Sequence, residues 1–164
     1  MMKRKTLLWL IPLLAAIHNA EEAATMPRFL SKEHLWLPAA ARDIVANVSY
    51  SQFFVAIIFV TLIPIVIAAF GDLSRERSAA AYALFCVQVV MFINVFWHLA
   101  MALLARGYVP GLISALAINL PFSIYILRRA LVERWFSRRA TGLAFVIALL
   151  LHGPVLWLIM TVTG

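Results

Sequence analysis

Hydrophobic residues fall along this chain in long, nearly unbroken runs, a pattern typical of helices that cross a membrane. A bilayer-spanning helix needs about 20 predominantly apolar residues. Residues 50–70, 79–105, 108–127 and 141–162 meet that length. A fifth run, residues 6–25, is mostly apolar only over residues 6–17 and ends in the polar stretch HNAEE. It spans a membrane only if that stretch lies inside the bilayer.

The composition agrees with this pattern. The chain of 164 residues is 65% hydrophobic and 13% charged, with a mean hydropathy of +0.96. Soluble domains are roughly half apolar and about one-quarter charged, so this apolar excess does not fit inside a soluble core. The sequence therefore predicts a single domain, residues 1–164, that is an all-α, multi-pass integral membrane bundle of five helices with the lipid bilayer as its partner.

The positive charges predict an orientation. The formal net charge is +7, and the basic residues cluster between the apolar runs. If the N-terminus is inside, ten basic residues fall on the cytoplasmic side and four on the other, which is the bias that the positive-inside rule requires. We expect a cytoplasmic N-terminus, and we expect the protein to lie in a bacterial cytoplasmic membrane. Nucleic-acid binding is not predicted, because the basic residues do not form a nucleic-acid motif.

Residues 26–46 do not resemble the apolar runs, since they mix aromatic and charged side chains with Pro27 and Pro38. Proline disrupts helix interiors. We expect an interfacial segment here, lying at headgroup level between the first two helices.

The first run has a competing interpretation as a signal peptide. Residues 1–5 include three basic residues, and the apolar residues 6–17 follow them directly. That order is the one found in secretory signals. A cleaved chain would keep four spans, whereas an uncleaved chain has five.

Polar residues inside the apolar runs share helix faces. His18, Glu21 and Glu22 stand at positions i, i+3 and i+4, and Asn94 and His98 are four residues apart. Residues at these spacings lie on one side of a helix. Ionisable groups within a membrane are costly, so they face a bundle interior or a cavity and pair with one another.

Depth along the helices brings these faces to one level. At about 1.5 Å per residue, both groups lie roughly 18–28 Å from the inner face. The same measure places His152 about 16 Å from the inner face and Asn119 about 16 Å from the outer face. The polar residues therefore converge on the middle and outer half of the membrane.

Imidazole and carboxylate groups together are the usual ligands of zinc, iron or manganese, and helix bundles commonly hold such sites. The sequence thus predicts a divalent metal site, with Glu21 and Glu22 also as catalytic carboxylates. Asn94, Tyr108 and Asn119 are predicted to orient a ligand or contact a substrate. The predicted metal ligands are His18, Glu21, Glu22, His98 and His152.

Three short motifs resemble those of a known family. His18 to Glu22 resembles the motif that names the HXXEE family of small multi-span proteins, and Asn94 to His98 resembles its N-x-x-x-H signature. Pro110-Gly111 is similar to its Pro-Gly element. The family's function is largely uncharacterised, so the resemblance implies a membrane fold and a retained first span rather than a reaction.

We expect a membrane-embedded, metal-dependent enzyme that acts on a lipophilic small molecule; hydrolysis, oxidation and isomerisation stay open as its reaction. A proton- or metal-coupled transporter or channel is an alternative, because Glu and His within spans also form proton relays. A b-type haem between His98 and His152, and a non-catalytic scaffold, are further alternatives. A metal-free intramembrane protease using a Glu pair is another, although Met26 stands where those proteases carry Arg.

Overall fold

The computed structural model describes residues 2–30, 49–75 and 78–152. Within these ranges the chain is all-helical, with five helices and no strands, which confirms the predicted fold class. The helices are α1 (Arg4–Leu30), α2 (Tyr50–Phe70), α3 (Ala79–Ala105), α4 (Leu112–Val132) and α5 (Arg138–Leu150).

Three of these helices, α2, α3 and α4, are long and apolar enough to cross a membrane. The exposed surface of α2 is strongly apolar, with Phe59 60% and Phe70 87% exposed. Contiguous apolar surface of this kind needs a nonaqueous covering, and lipid would provide one. The helix α1 is not one of these three, because the polar stretch after Ile17 lowers its mean hydropathy. The five-span count and the cytoplasmic N-terminus remain predictions.

Serine side chains cap the N-termini of three helices. Ser49 caps α2 through a reciprocal pair of bonds with Gln52. The Ser78 hydroxyl accepts from the backbone N–H of Ala81 at the start of α3. The Ser137 hydroxyl accepts from the backbone N–H of Ala140 at the start of α5. Each hydroxyl satisfies a backbone donor that has no partner within the helix.

The first helix is longer than the predicted span, because it continues through Pro27 to Leu30. Proline cannot donate the backbone bond that the carbonyl of Ala23 would normally accept. The Tyr50 hydroxyl donates to that carbonyl instead, at 3.1 Å. A side chain from α2 therefore replaces the missing bond. The rest of the predicted interfacial segment, residues 31–46, lies outside the described residues.

The helices α2 and α3 have the bounds predicted for the second and third spans, whereas the fourth and fifth predicted spans have different bounds in the structure. The fourth begins at Leu112 instead of residue 108 and continues to Val132. The fifth begins at Arg138, and residues 153–162 of its predicted range lie outside the described part of the chain.

The helix α3 packs against each of the other four helices. Its N-terminal half carries the fully buried Leu84 and Phe85, which pack with Leu7 and Leu8 of α1 and Ile126 of α4. This apolar core lies at one end of the bundle. The polar faces of α1 and α3 lie further along the same helices, so the core holds their backbones in register at the site.

A buried polar pair joins α3 to α4 between the core and the site. Gln88 donates from Nε2 to the Ser123 hydroxyl at 2.7 Å, and the two residues are 2% and 0% exposed. We expect Ser123→Ala to lower the free energy of unfolding by about 0.5–2 kcal/mol, because it leaves a buried amide unpaired. Unfolding in detergent measures this effect. The double variant Gln88→Leu/Ser123→Ala should regain part of the loss; a purely additive further loss would contradict the prediction.

Candidate metal centre

Three side chains from two helices point their terminal atoms at one another. His18 and Glu22 lie one turn apart on α1, and His98 lies on α3. The two histidine Nε2 atoms are 3.2 Å apart. Glu22 Oε1 lies 3.2 Å from His98 Nε2 and 3.7 Å from His18 Nε2. The described residues contain this one group of three ligand-type atoms that all lie within 4.8 Å of one another.

These separations match those around a single small cation. Ligand atoms placed tetrahedrally at about 2.0–2.1 Å from zinc are about 3.3–3.4 Å apart, and the three separations range from 3.2 to 3.7 Å. The imidazole rings meet almost at right angles, with an interplanar angle of 81°. The three atoms can therefore occupy three corners of a tetrahedral coordination shell without rearrangement.

The hydroxyl of Ser114, on α4, orients the His18 ring. Its Oγ lies 2.8 Å from His18 Nδ1 and donates to the carbonyl of Gly111 at 3.3 Å. Because the serine proton is used on that carbonyl, the hydroxyl oxygen accepts from Nδ1–H of His18. The lone pair of this neutral imidazole is then on Nε2, which faces the cluster. An imidazole held in this way is the usual arrangement of a metal-binding histidine.

Asn94 lies one turn before His98 on α3 and joins the same group. Its Nδ2 is 3.0 Å from Nε2 of His18 and 3.0 Å from Nε2 of His98. The amide group has two hydrogens, so it can donate one to each ring when Nε2 is the unprotonated nitrogen. In that tautomer both histidines carry their lone pair on Nε2, close to the carboxylate of Glu22, and this concentration of acceptors favours a cation.

The cluster is almost shut off from its surroundings. His18 is 0% and His98 5% exposed, and the side chain of Glu22 is 14% exposed. A buried carboxylate without a compensating cation is costly. Metal binding would remove that cost.

Gly111 packs directly against all three of these side chains. Its φ is +79°, a conformation that L-residues other than glycine rarely adopt. A Cβ at this position would lie 2.7 Å from Glu22 Cγ and 2.8 Å from Cε1 of both His18 and His98. The absence of a side chain here lets the start of α4 approach the three candidate ligands.

Glu21 lies next to Glu22 in the sequence but has a different environment. Its Oε1 accepts from the Tyr108 hydroxyl at 2.7 Å and the Ile113 N–H at 3.1 Å, and its Oε2 accepts from the Ser114 N–H at 2.7 Å. The carboxylate thus caps the N-terminus of α4, where negative charge is favourable. It is not part of the three-residue group, and its predicted ligand and catalytic roles stay predictions.

Tyr108 lies between α3 and α4, at the exposed edge of this arrangement. Burial of the phenol raises its pKa above the ordinary value. The group therefore stays protonated at neutral pH and can donate to Glu21, and it also reaches Thr25 at 3.3 Å. Tyr108 thus ties the loop before α4 to α1.

The two remaining predicted site residues lie outside the three-residue group. The ring of His152 packs edge-on to Trp97, with centroids 6.3 Å apart. Asn119 is 2% exposed and ends the π-helical turn Ala115–Asn119 within α4. Among the described residues its Nδ2 has no hydrogen-bond partner. The predicted ligand role of His152 and the predicted contact role of Asn119 remain predictions.

Two residues that the sequence did not single out as part of the site contribute to it. Gly111 was noted only as part of a Pro-Gly element, yet that element was a usable signal for a close backbone approach. Ser114 carries no comparable signal, because a serine in an apolar helix is common. Its role depends on the rotation of α4 against α1, which the sequence does not specify.

Comparison with known proteins gives a family but no described function. Residues 9–126 match the family described as "Protein of unknown function with HXXEE motif". The matched range begins at Trp9 within α1, ends at Ile126 within α4, and so stops before α5 and His152. Neither the curated proteins nor the solved structures contain a match.

Proposed function

The chain belongs to the HXXEE family, and from that premise we propose that it is a membrane-embedded, metal-dependent enzyme acting on a lipophilic substrate. The resemblance found in the three short motifs is confirmed by the family match. His18 and Glu22 come from the motif that names the family, and His98 ends the N-x-x-x-H motif.

The observation that carries the proposal is the convergence of two imidazole nitrogens and one carboxylate oxygen at separations of 3.2, 3.2 and 3.7 Å. Hydrogen bonding alone accounts for this poorly. The Asn94 amide donates to both rings, yet the two Nε2 atoms and the Glu22 oxygen, all acceptors, stay in contact with one another. A divalent cation satisfies all three atoms at once.

The set of ligands favours catalysis over a purely structural metal. Structural zinc sites are closed by four protein ligands, whereas catalytic sites combine three, such as two histidines and a glutamate, with an exchangeable position. Two histidines and one carboxylate are also the set that non-haem iron uses. Zinc, iron and manganese all remain candidates; a bound ion would act as a Lewis acid toward a substrate oxygen.

The surroundings of the cluster favour a lipophilic substrate. Phe96 and Trp97 belong to the N-x-x-x-H motif and are 53% and 56% exposed. Trp97 is adjacent in the sequence to His98, whose side chain is buried. If the apolar helices lie in a bilayer, a lipid-soluble molecule can reach this part of α3 laterally without crossing water.

Metal analysis of the purified protein tests the proposal. We expect wild-type protein to carry about one ion per chain, since pre-organised sites of this type bind metal strongly. His18→Ala and His98→Ala should reduce the metal to background. His152→Ala tests the predicted ligand role of the neighbouring histidine: metal retained in this variant would limit the site to the three-residue group, whereas metal lost would add His152 to it.

The reaction is tested by incubating loaded protein with a membrane lipid extract and comparing product masses with those from His98→Ala. We expect mass changes that only the loaded wild-type protein produces. A wild-type protein that stays metal-free after exposure to zinc, iron and manganese would contradict the metal site. Stoichiometric metal without any lipid-derived product would contradict the proposed activity alone.

A further inference from the structure

We propose that Asn94 is a further metal ligand, which presents its side-chain oxygen to the ion when the ion binds. This inference rests on the proposed function, since it requires a metal at the His18, Glu22 and His98 cluster. It goes beyond the expected role of Asn94 in orienting a ligand, because it places an Asn94 atom on the metal itself.

The position of the amide is the first argument. Its terminal atom lies 3.0 Å from each histidine Nε2, and those two atoms lie 3.2 Å apart. Oε1 of Glu22 lies 3.2 and 3.7 Å from the same two nitrogens. Five separations of 3.0–3.7 Å therefore join the Asn94 amide, the two histidine nitrogens and the Glu22 oxygen. All five are close to the about 3.3–3.4 Å expected for a tetrahedral shell around zinc.

Hydrogen-bond accounting is the second argument. Without an ion, and with Nε2 unprotonated on both rings, the amide group of Asn94 donates to the lone pairs of both histidines. Those are the lone pairs that a metal takes, so binding would leave two amide hydrogens facing a cation. That arrangement is repulsive, and the buried amide would also lose both acceptors, at a cost of about 1–3 kcal/mol.

A half-turn of the amide relieves both problems. Rotation about the Cβ–Cγ bond exchanges the nitrogen and the oxygen at nearly the same positions. The carbonyl oxygen then faces the ion, and amide oxygens are suitable ligands for hard divalent cations. Asn94 has the reach and the direction for this, because it lies on the same face of α3 as His98, one turn away.

This additional ligand is compatible with catalysis. Zinc can expand from four to five ligands during a reaction, and six-coordinate ions keep two positions beyond four protein ligands. A neutral amide oxygen is also a weaker ligand than a carboxylate. Asn94 would therefore complete the shell in the resting enzyme without blocking the substrate.

Two substitutions at this position separate an oxygen ligand from a hydrogen-bond donor. Asn94→Asp keeps the oxygen and the size but lacks the amide hydrogens, whereas Asn94→Ala lacks both. We expect Asn94→Asp to bind zinc at least as tightly as wild type and Asn94→Ala to bind it about 10- to 100-fold more weakly. Competition with a chromophoric chelator measures both affinities on folded, detergent-solubilised protein.

Asn94→Asp also adds a negative charge, which can itself strengthen metal binding. A spectroscopic measurement on the wild-type protein avoids this added charge. Wild-type protein labelled with ¹³C at the asparagine side-chain carbonyls and loaded with Mn²⁺ should show a ¹³C hyperfine coupling typical of a ligand, which Asn94→Ala lacks. Asn94→Asp binding as weakly as Asn94→Ala would overturn the inference, as would a wild-type spectrum without that coupling. Failure of the wild-type protein to bind any metal would instead overturn the proposed function, and this inference with it.

Discussion

Replacing Gly111 with alanine is expected to lower metal affinity by about 100-fold or more, the upper end of what residues supporting a metal site contribute. The added methyl group would lie 2.7–2.8 Å from atoms of His18, Glu22 and His98. One substitution would therefore displace all three candidate ligands at once. The φ of +79° adds a further cost, about 1–2 kcal/mol for a residue with a side chain.

Chelator competition and thermal unfolding together measure this effect. Gly142→Ala is the matched control, because nothing lies within 4 Å of a Cβ added there. Gly142 lies inside α5, so that variant should keep wild-type metal affinity and gain about 0.5–1 kcal/mol of stability. Wild-type affinity in a folded Gly111→Ala protein would show that the start of α4 does not position the ligands.

The adjacent glutamates provide the second large effect, since the same substitution should have different consequences at each. Glu22→Gln is expected to abolish metal binding, because it replaces a carboxylate that contacts both histidines. Glu21→Gln is expected to keep the ion. It should lower the free energy of unfolding by about 1–2 kcal/mol instead, by weakening the cap on α4.

The same two measurements distinguish these outcomes, and each variant controls for the other because the chemical change is identical. Metal loss in Glu21→Gln without loss of stability would support the predicted ligand role of Glu21. Metal retention in Glu22→Gln would remove the carboxylate from the proposed centre and contradict the arrangement described above.

The pattern of apolar runs was enough to predict the helical fold, because each run is longer and more apolar than a soluble helix. The bounds of α2 and α3 were predicted from the same pattern, but those of α1 were not. Pro27 was expected to lie outside α1, but the Tyr50 hydroxyl takes the place of its missing backbone donor. Such a replacement depends on a residue 23 positions away, which local sequence rules do not consider.

The polar residues were predictable as faces and as depths. Helical periodicity places His18 and Glu22 on one side of α1, and Asn94 and His98 on one side of α3, whatever the rest of the chain does. A constant rise per residue brings both faces to a similar level. The sequence by itself therefore determined the helical class, the two polar faces and their approximate alignment along the bundle.

Only the tertiary structure decided which of these residues meet. Adjacent residues on a helix are about 100° apart, so a rotation of α1 by about that angle would exchange Glu21 and Glu22 between the cluster and the cap of α4. That rotation is set by packing against α2, α3 and α4, and by the close approach at Gly111. Periodicity specifies where a side chain lies around its own helix axis. It does not specify how a helix is rotated about that axis or shifted against its neighbours. The contact of Ser114 with His18 depends on that rotation and shift, so the sequence alone did not predict it.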